Sequence, residues 1–212
     1  MPQLNYRESA KFMLKKPATT QVVIEETIAN RWSGRAYDAT KPVSHEQTIA
    51  LLEAARWAPS CFGDQPWRFI VWDKNKDDQA WQQAFDCLVP GNQAWAKDAP
   101  LLMLTIADTL FNHNAKPNRF AQYDTGAAAE NLCLQATDLG LMVHQMGGFD
   151  ADRARATFNI PEQYTLMAML TVGYAADIAT LTGEILTRET APRSRRALGE
   201  LFFASAWNKP IV

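Results

Sequence analysis

The sequence is poor in the residues that would announce a metal centre, a membrane segment or a nucleic-acid face. It has three cysteines and three histidines in 212 residues. Cys61, Cys87 and Cys133 are odd in number and widely spaced, and His45, His113 and His144 join them in no zinc-like spacing, which argues against a structural metal. No apolar run approaches the length a spanning helix needs, and no secretory core segment is present, so a cytoplasmic location with reduced thiols is the expectation, with no membrane partner. A formal charge of -2 and a pI of about 5.9 leave no basic excess for binding nucleic acid. No G-x-G-x-x-G opens a strand-helix-strand unit and no Walker lysine motif occurs, so Rossmann and P-loop readings have no support. Internal repeats and low-complexity segments are also absent.

What is present reads as an ordinary globular chain, with 47% hydrophobic and 21% charged residues. Residues 1–21 mix lysines with few apolar positions and read as a peripheral arm. Residues 22–212 read as a single domain with a C-terminal extension from about residue 177. The periodicity predicts a helix from Val22 to Arg31. A capping box at Ser44 and Gln47 opens a second helix, whose Ile49, Leu51, Leu52, Ala55 and Trp57 fall at helical spacing. Further helices are expected over 77–88, around Ala94 to Asp98, over 120–139 and over 151–158. Apolar runs predict strands at 67–72, 101–107, 141–146 and 164–175. Residues 109–119 are a surface loop by composition.

Four stretches carry candidate chemistry. The first is A-P-S-C-F-G-D-Q-P-W-R-F, residues 58–69, where Pro59, Ser60, Gly63, Asp64 and Pro66 crowd a short loop. Prolines restrict both themselves and the residues before them, and glycine loses the most entropy on ordering, so such a loop is costly to hold in one shape. It is either a helix-to-strand connection with its usual turn residues, or a site offering the Ser60 hydroxyl, the Gln65 amide and backbone N–H groups to a flat polar ligand. The second is R-W-S-G-R-A-Y, where Arg31, Ser33 and Arg35 alternate. Two guanidiniums and a hydroxyl that close can grip a phosphate, and arginines at a helix C-terminus can equally offset its dipole. The third is the pair Gly147-Gly148 between a strand and a helix, which suits a tight turn or the approach of a ligand to the backbone. The last is Arg193-Ser194-Arg195-Arg196, either a solvated face or an anion site.

These stretches, in this order, resemble the FMN-dependent nitroreductase family over roughly residues 22 to 207. The resemblance implies an α+β fold, with a central and mostly antiparallel sheet surrounded by helices. It also implies a homodimer that exchanges C-terminal segments and holds each flavin at its interface, with the stripe of small residues on the 120–139 helix in that interface. By its motifs, Arg31, Trp32, Ser33 and Arg35 meet the FMN phosphate, ribityl chain and pyrimidine edge, and Pro59, Ser60, Cys61 and Gln65 belong to the flavin loop. Asn92, seven residues before Ala99, matches the family asparagine, although the residue could also cap a short helix. Gln145, Met146, Gly147 and Gly148 lie beneath the flavin ring and supply a main-chain N–H to N5. Arg193 and Arg195 return to the phosphate, and Arg196 is spare.

The sequence departs from the family at three places: Gly63 replaces a frequent asparagine, Trp95 a lysine found in some members, and Gly147 a glutamate. The activity implied is FMN-dependent reduction of a small electron acceptor, such as a nitroaromatic or quinone, by NADH or NADPH in a ping-pong cycle. No protein acid or base is required, and Arg35 is the candidate cation for charge that grows at the flavin N1 and C2=O. The same scaffold would also serve a reductase of an aldehyde, enone or halogenated aromatic, or a flavin-binding protein without turnover.

Overall fold

The computed structural model describes residues 14–212, so most of the expected N-terminal arm lies outside the described residues. Four strands, β1 (Trp67–Asp73), β2 (Leu101–Asp108), β3 (Met142–Met146) and β4 (Tyr164–Gly173), form one sheet in the order β1-β2-β4-β3. Every neighbouring pair is antiparallel. The helices are α1 (Glu26–Asn30), α2 (His45–Arg56), α3 (Asp78–Phe85), α4 (Pro90–Ala96), α5 (Ala121–Asp138), α6 (Ala151–Thr157), α7 (Gly183–Thr190) and α8 (Leu198–Leu201). This is the α+β architecture the sequence predicts.

All eight residues of β2 are buried, and the two-residue repeat of a strand shares them between two cores. Leu102, Leu104 and Ile106 pack with Trp72, Trp81 and Trp95 on one face. Leu101 and Met103 pack with Leu51, Ala55 and Leu132 on the other. Each such leucine contributes roughly 1.5–3 kcal/mol by leaving water. Helix α2 begins as its residues dictate: the Ser44 hydroxyl accepts from the Gln47 N–H at 3.1 Å, and the Gln47 amide oxygen accepts from the Ser44 N–H at 3.0 Å. The β2–β4 register slips between Thr105 and Ile106. There the Thr105 hydroxyl donates to the Ala168 carbonyl at 3.1 Å and accepts from its N–H at 3.2 Å, replacing the ladder bonds that the bulge removes.

Three expectations change. Val22, Val23 and Ile24 are not helical, and α1 starts only at Glu26. Three β-branched residues in a row disfavour helix, and the chain leaves Val22 73% and Val23 98% exposed. The short helix near Ala94 comes earlier, as α4, because Pro90 sits in its first turn and is preorganised there, so Asn92 is inside the helix and does not cap it. Much of the small-residue stripe of α5 is spent within the chain: Ala128 and Ala136 pack with Leu51 and Ala55 of α2, while Tyr123 remains exposed. The segment beyond Ala176 has local structure of its own. Ile185 of α7 packs against the first core, and Phe203 bridges Pro210 in a closing turn.

Candidate functional site

The R-W-S-G-R turn follows α1 and is pinned from the far end of the chain. Arg193 donates through one terminal nitrogen to the carbonyls of Lys16 and Ala29, the latter at 2.8 Å, and through the other to the Arg31 carbonyl at 2.9 Å. Its guanidinium thereby satisfies acceptors at the frayed end of α1. Arg31 pairs with Glu130 of α5 at 3.3 Å. Arg31, Arg193 and Arg195 line one cleft of about 810 Å³, with Ile24, Ile28 and Glu130 among its other walls. Arg196 lines it too, so four cations meet there, whereas Arg35, which the sequence reading grouped with Arg31, Arg193 and Arg195, does not. Burial, and then Arg31 and Arg195 nearby, draw the Arg193 guanidinium below its ordinary pKa. Burial likewise raises the Glu130 carboxyl, with Arg31 opposing.

Arg35 points elsewhere. Its guanidinium carbon stands 5.9 Å from the centre of the Trp95 ring, and Trp95 in turn packs on Tyr37 at 6.4 Å and His144 at 4.6 Å. The ring that stands where some family members have a lysine is therefore a buried packing element. His144 holds this corner to the turn through Nδ1, 3.0 Å from the Gly34 carbonyl. A carbonyl only accepts, so Nδ1 carries the proton and Nε2 the lone pair. Burial lowers the imidazole pKa and keeps the ring neutral. Trp32 lies beneath the Lys16 ammonium at 4.3 Å, and its indole N–H is buried without a partner among the described residues. Ser33 is exposed.

The glycine pair and Asn92 meet directly. The Asn92 side-chain N–H donates to the Gly148 carbonyl at 2.9 Å, and a Cβ on Gly148 would fall 2.8 Å from that nitrogen and 2.9 Å from Val89, so a side chain there would displace one or both. Met146 is buried in the first core and presents only its main chain. Gln145 is exposed and reaches the Cys133 sulfur at 3.5 Å. Burial pushes that thiol up to about 12, so it stays protonated.

The loop at 58–66 is separate from this corner. The N–H groups of Cys61, Gly63, Asp64 and Gln65 are already taken, by Asp124, the Ser60 and Cys61 carbonyls and the Ser60 hydroxyl. The sequence reading offered these donors to a ligand, and the loop uses them to hold itself. Phe62 at φ 56° and Gln65 at φ 51° occupy the left-handed region that non-glycine residues seldom adopt. Phe62 is 84% exposed. Its ring meets Phe111 and His113 at 5.9 and 5.6 Å. Asp64 accepts from Asn112 N–H at 2.9 Å, tying the 109–119 loop to this one. None of residues 58–66 lines the arginine cleft.

One functional group escaped sequence reasoning altogether. Glu189 of α7 is 3% exposed, and its carboxylate accepts from the Arg35 N–H at 2.8 Å.

The sequence model of the nitroreductase family matches residues 28–174. A Ralstonia nicotianae protein, provisionally named an NADH dehydrogenase or NAD(P)H nitroreductase, is 30% identical over 152 residues, which span 63% of this chain and 76% of that one. A crystal structure of an oxidoreductase containing FMN is 32% identical and superposes with a TM-score of 0.83 over 90% of this chain and 96% of the other. A provisionally named nitroreductase from Desulfovibrio desulfuricans, solved in complex with FMN, is 26% identical with a TM-score of 0.68 over 89% of this chain and 99% of that one.

Proposed function

The chain belongs to the nitroreductase family, and from that membership we propose that it is an FMN-dependent NAD(P)H oxidoreductase acting on a small electron-poor acceptor such as a nitroaromatic or a quinone. The observation that carries this reading is the convergence of Arg31, Arg193 and Arg195 on one cleft, a donor set suited to a phosphate dianion. A second observation concerns the ring. A Cβ built on Gly147 would meet nothing within 4 Å, so its exposed main chain is open to the approach of a ring.

FMN, when bound, supplies the hydride acceptance and donation that side chains cannot. The chain then has to bind, orient and polarise. Arg31, which meets Glu130 through Nε, and Arg195, which gives one terminal nitrogen to the Ser194 carbonyl, keep donors to hold the phosphate, whereas Arg193, whose terminal nitrogens serve carbonyls, shapes the cleft and adds to its field. Asn92 spends its N–H on Gly148 and offers its side-chain oxygen. Arg35 supplies the positive charge for the pyrimidine edge in the absence of a lysine at 95. Residues 58–66 reach the same flavin from a second copy of the chain. Exposed Tyr123, Trp57, Phe202 and Trp207 support such a pairing, since large apolar groups left uncovered on one chain mark a contact surface. No helix among the described residues is long and apolar enough to cross a membrane. We place the enzyme in the cytoplasm, where the free thiols of Cys61, Cys87 and Cys133 would stay reduced.

The expected result is a yellow preparation whose flavin bands bleach with NADH or NADPH under anaerobic conditions and recover on adding the acceptor. A colourless protein that FMN does not reconstitute would overturn the reading. Burial of Trp95 in place of a cation favours one alternative, a flavin carrier without turnover. Stopped-flow mixing with NADH and NADPH separates the two, because a carrier shows no rapid bleaching.

A further inference from the structure

The group that the proposed reaction leaves unused is Glu189. It is nearly sealed from water, and a buried carboxylate needs compensation. The compensation comes from main chain. The Arg35 N–H donates to Oε1 at 2.8 Å, and the neighbouring Ala36 N–H helps to favour the ionised form. Lys16 bonds to the Glu189 main-chain carbonyl at 2.6 Å, and no side-chain ion pair to the Glu189 carboxylate forms among the described residues. The fit is close on the remaining side, where a Cβ on Gly34 would lie 2.8 Å from Oε2 and 2.2 Å from the Met142 sulfur. Thus Gly34, Arg35 and Ala36 are set against one carboxylate from a helix 154 residues away in sequence. Lys16, Arg35 and Tyr37 are the titratable groups whose charges reach it.

We infer that Glu189 is a positioning residue for the flavin: its carboxylate fixes the main chain from which the Arg35 guanidinium projects, and its charge offsets part of the field Arg35 exerts on the ring. This rests on the FMN reading given above. A glutamine at 189 keeps the acceptor oxygen and removes the charge; a leucine removes both. The two functions therefore separate in two variants.

The experiment is titration of apo-protein with FMN, followed by potentiometry of the loaded protein, for wild type, Glu189→Gln and Glu189→Leu. Glu189→Leu leaves the Arg35 N–H without its acceptor and should raise the FMN dissociation constant about tenfold. Glu189→Gln should keep FMN affinity within about threefold. Its more positive site should favour reduced over oxidised FMN by about tenfold, an upward shift of about 30 mV in the midpoint potential of a two-electron couple. Wild-type potential in Glu189→Gln overturns the electrostatic half. Wild-type FMN affinity in a folded Glu189→Leu overturns the positioning half and leaves a purely structural glutamate. If Glu189→Leu does not fold, the potential of Glu189→Gln still decides. Failure of the wild-type protein itself to bind FMN would instead remove the family-based reading, and this inference with it.

Discussion

Strand β2 and the segment 198–212 are both rich in large apolar side chains, and only the strand hides them. Leu101, Leu102, Met103 and Leu104 are wholly buried between two cores. Trp207 is 81% exposed, and Leu201, Phe202, Ile211 and Val212 are open as well. The same contrast holds at the other end of the described chain, at Val22 and Val23. The difference separates two tasks. The sheet and the helices that cover it obtain their stability within one chain, while the ends leave their apolar side chains uncovered by it.

Cutting into the first region should have the largest effect. Leu104→Ala removes a side chain with no exposure from the middle of β2 and should cost about 2–5 kcal/mol, read as a fall in denaturant midpoint. A loss near that of a surface substitution would show that the sheet does not carry the stability of the fold.

A smaller effect is expected at Glu189, where the C-terminal helix joins the turn. Burial raises its pKa above the ordinary 4.5. The native state then favours the protonated form, so the stability contributed by this group is complete below the ordinary value and is lost as pH rises through the raised one. The melting temperature of Glu189→Gln should therefore gain on wild type as pH climbs from about 4 toward neutrality. A difference that shrinks over that range would mean Lys16 and Arg35 outweigh desolvation.

The smallest change in the stability of the chain itself is expected from Leu201→Ser with Phe202→Ser, within about 0.5 kcal/mol. The same pair should nevertheless shift sedimentation from dimer toward monomer and weaken the concentration dependence of melting. An unchanged dimer, or a stable flavin-bound monomer in the wild type, would remove the second copy from the proposed site.

The same division explains what was legible in the sequence. The four strands could be read because each is a run of apolar residues bounded by turn formers, and α2 because Ser44 and Gln47 announce it locally. The convergence of Arg31, Arg193 and Arg195 came from resemblance, since nothing within R-S-R-R separates a solvated face from a phosphate site. Glu189 was illegible: an acidic residue in the helical stretch G-E-I-L-T-R-E-T reads as a solvated one, and its burial depends on a turn far away in sequence. The left-handed Phe62 and Gln65 lie in a loop likewise tied to distant residues, through Asp124 and Asn112.

Arg193 and Glu189 also fix an order of events. They reach the Arg31 and Arg35 main chain across separations of 162 and 154 residues, so during synthesis the turn emerges long before either partner exists. A nascent chain can pair its strands as they appear, but the arginine turn lacks these two tethers until α7 and Arg193 have been made. Chains interrupted before α7 would present the turn with neither the Glu189 carboxylate nor the Arg193 guanidinium to hold it.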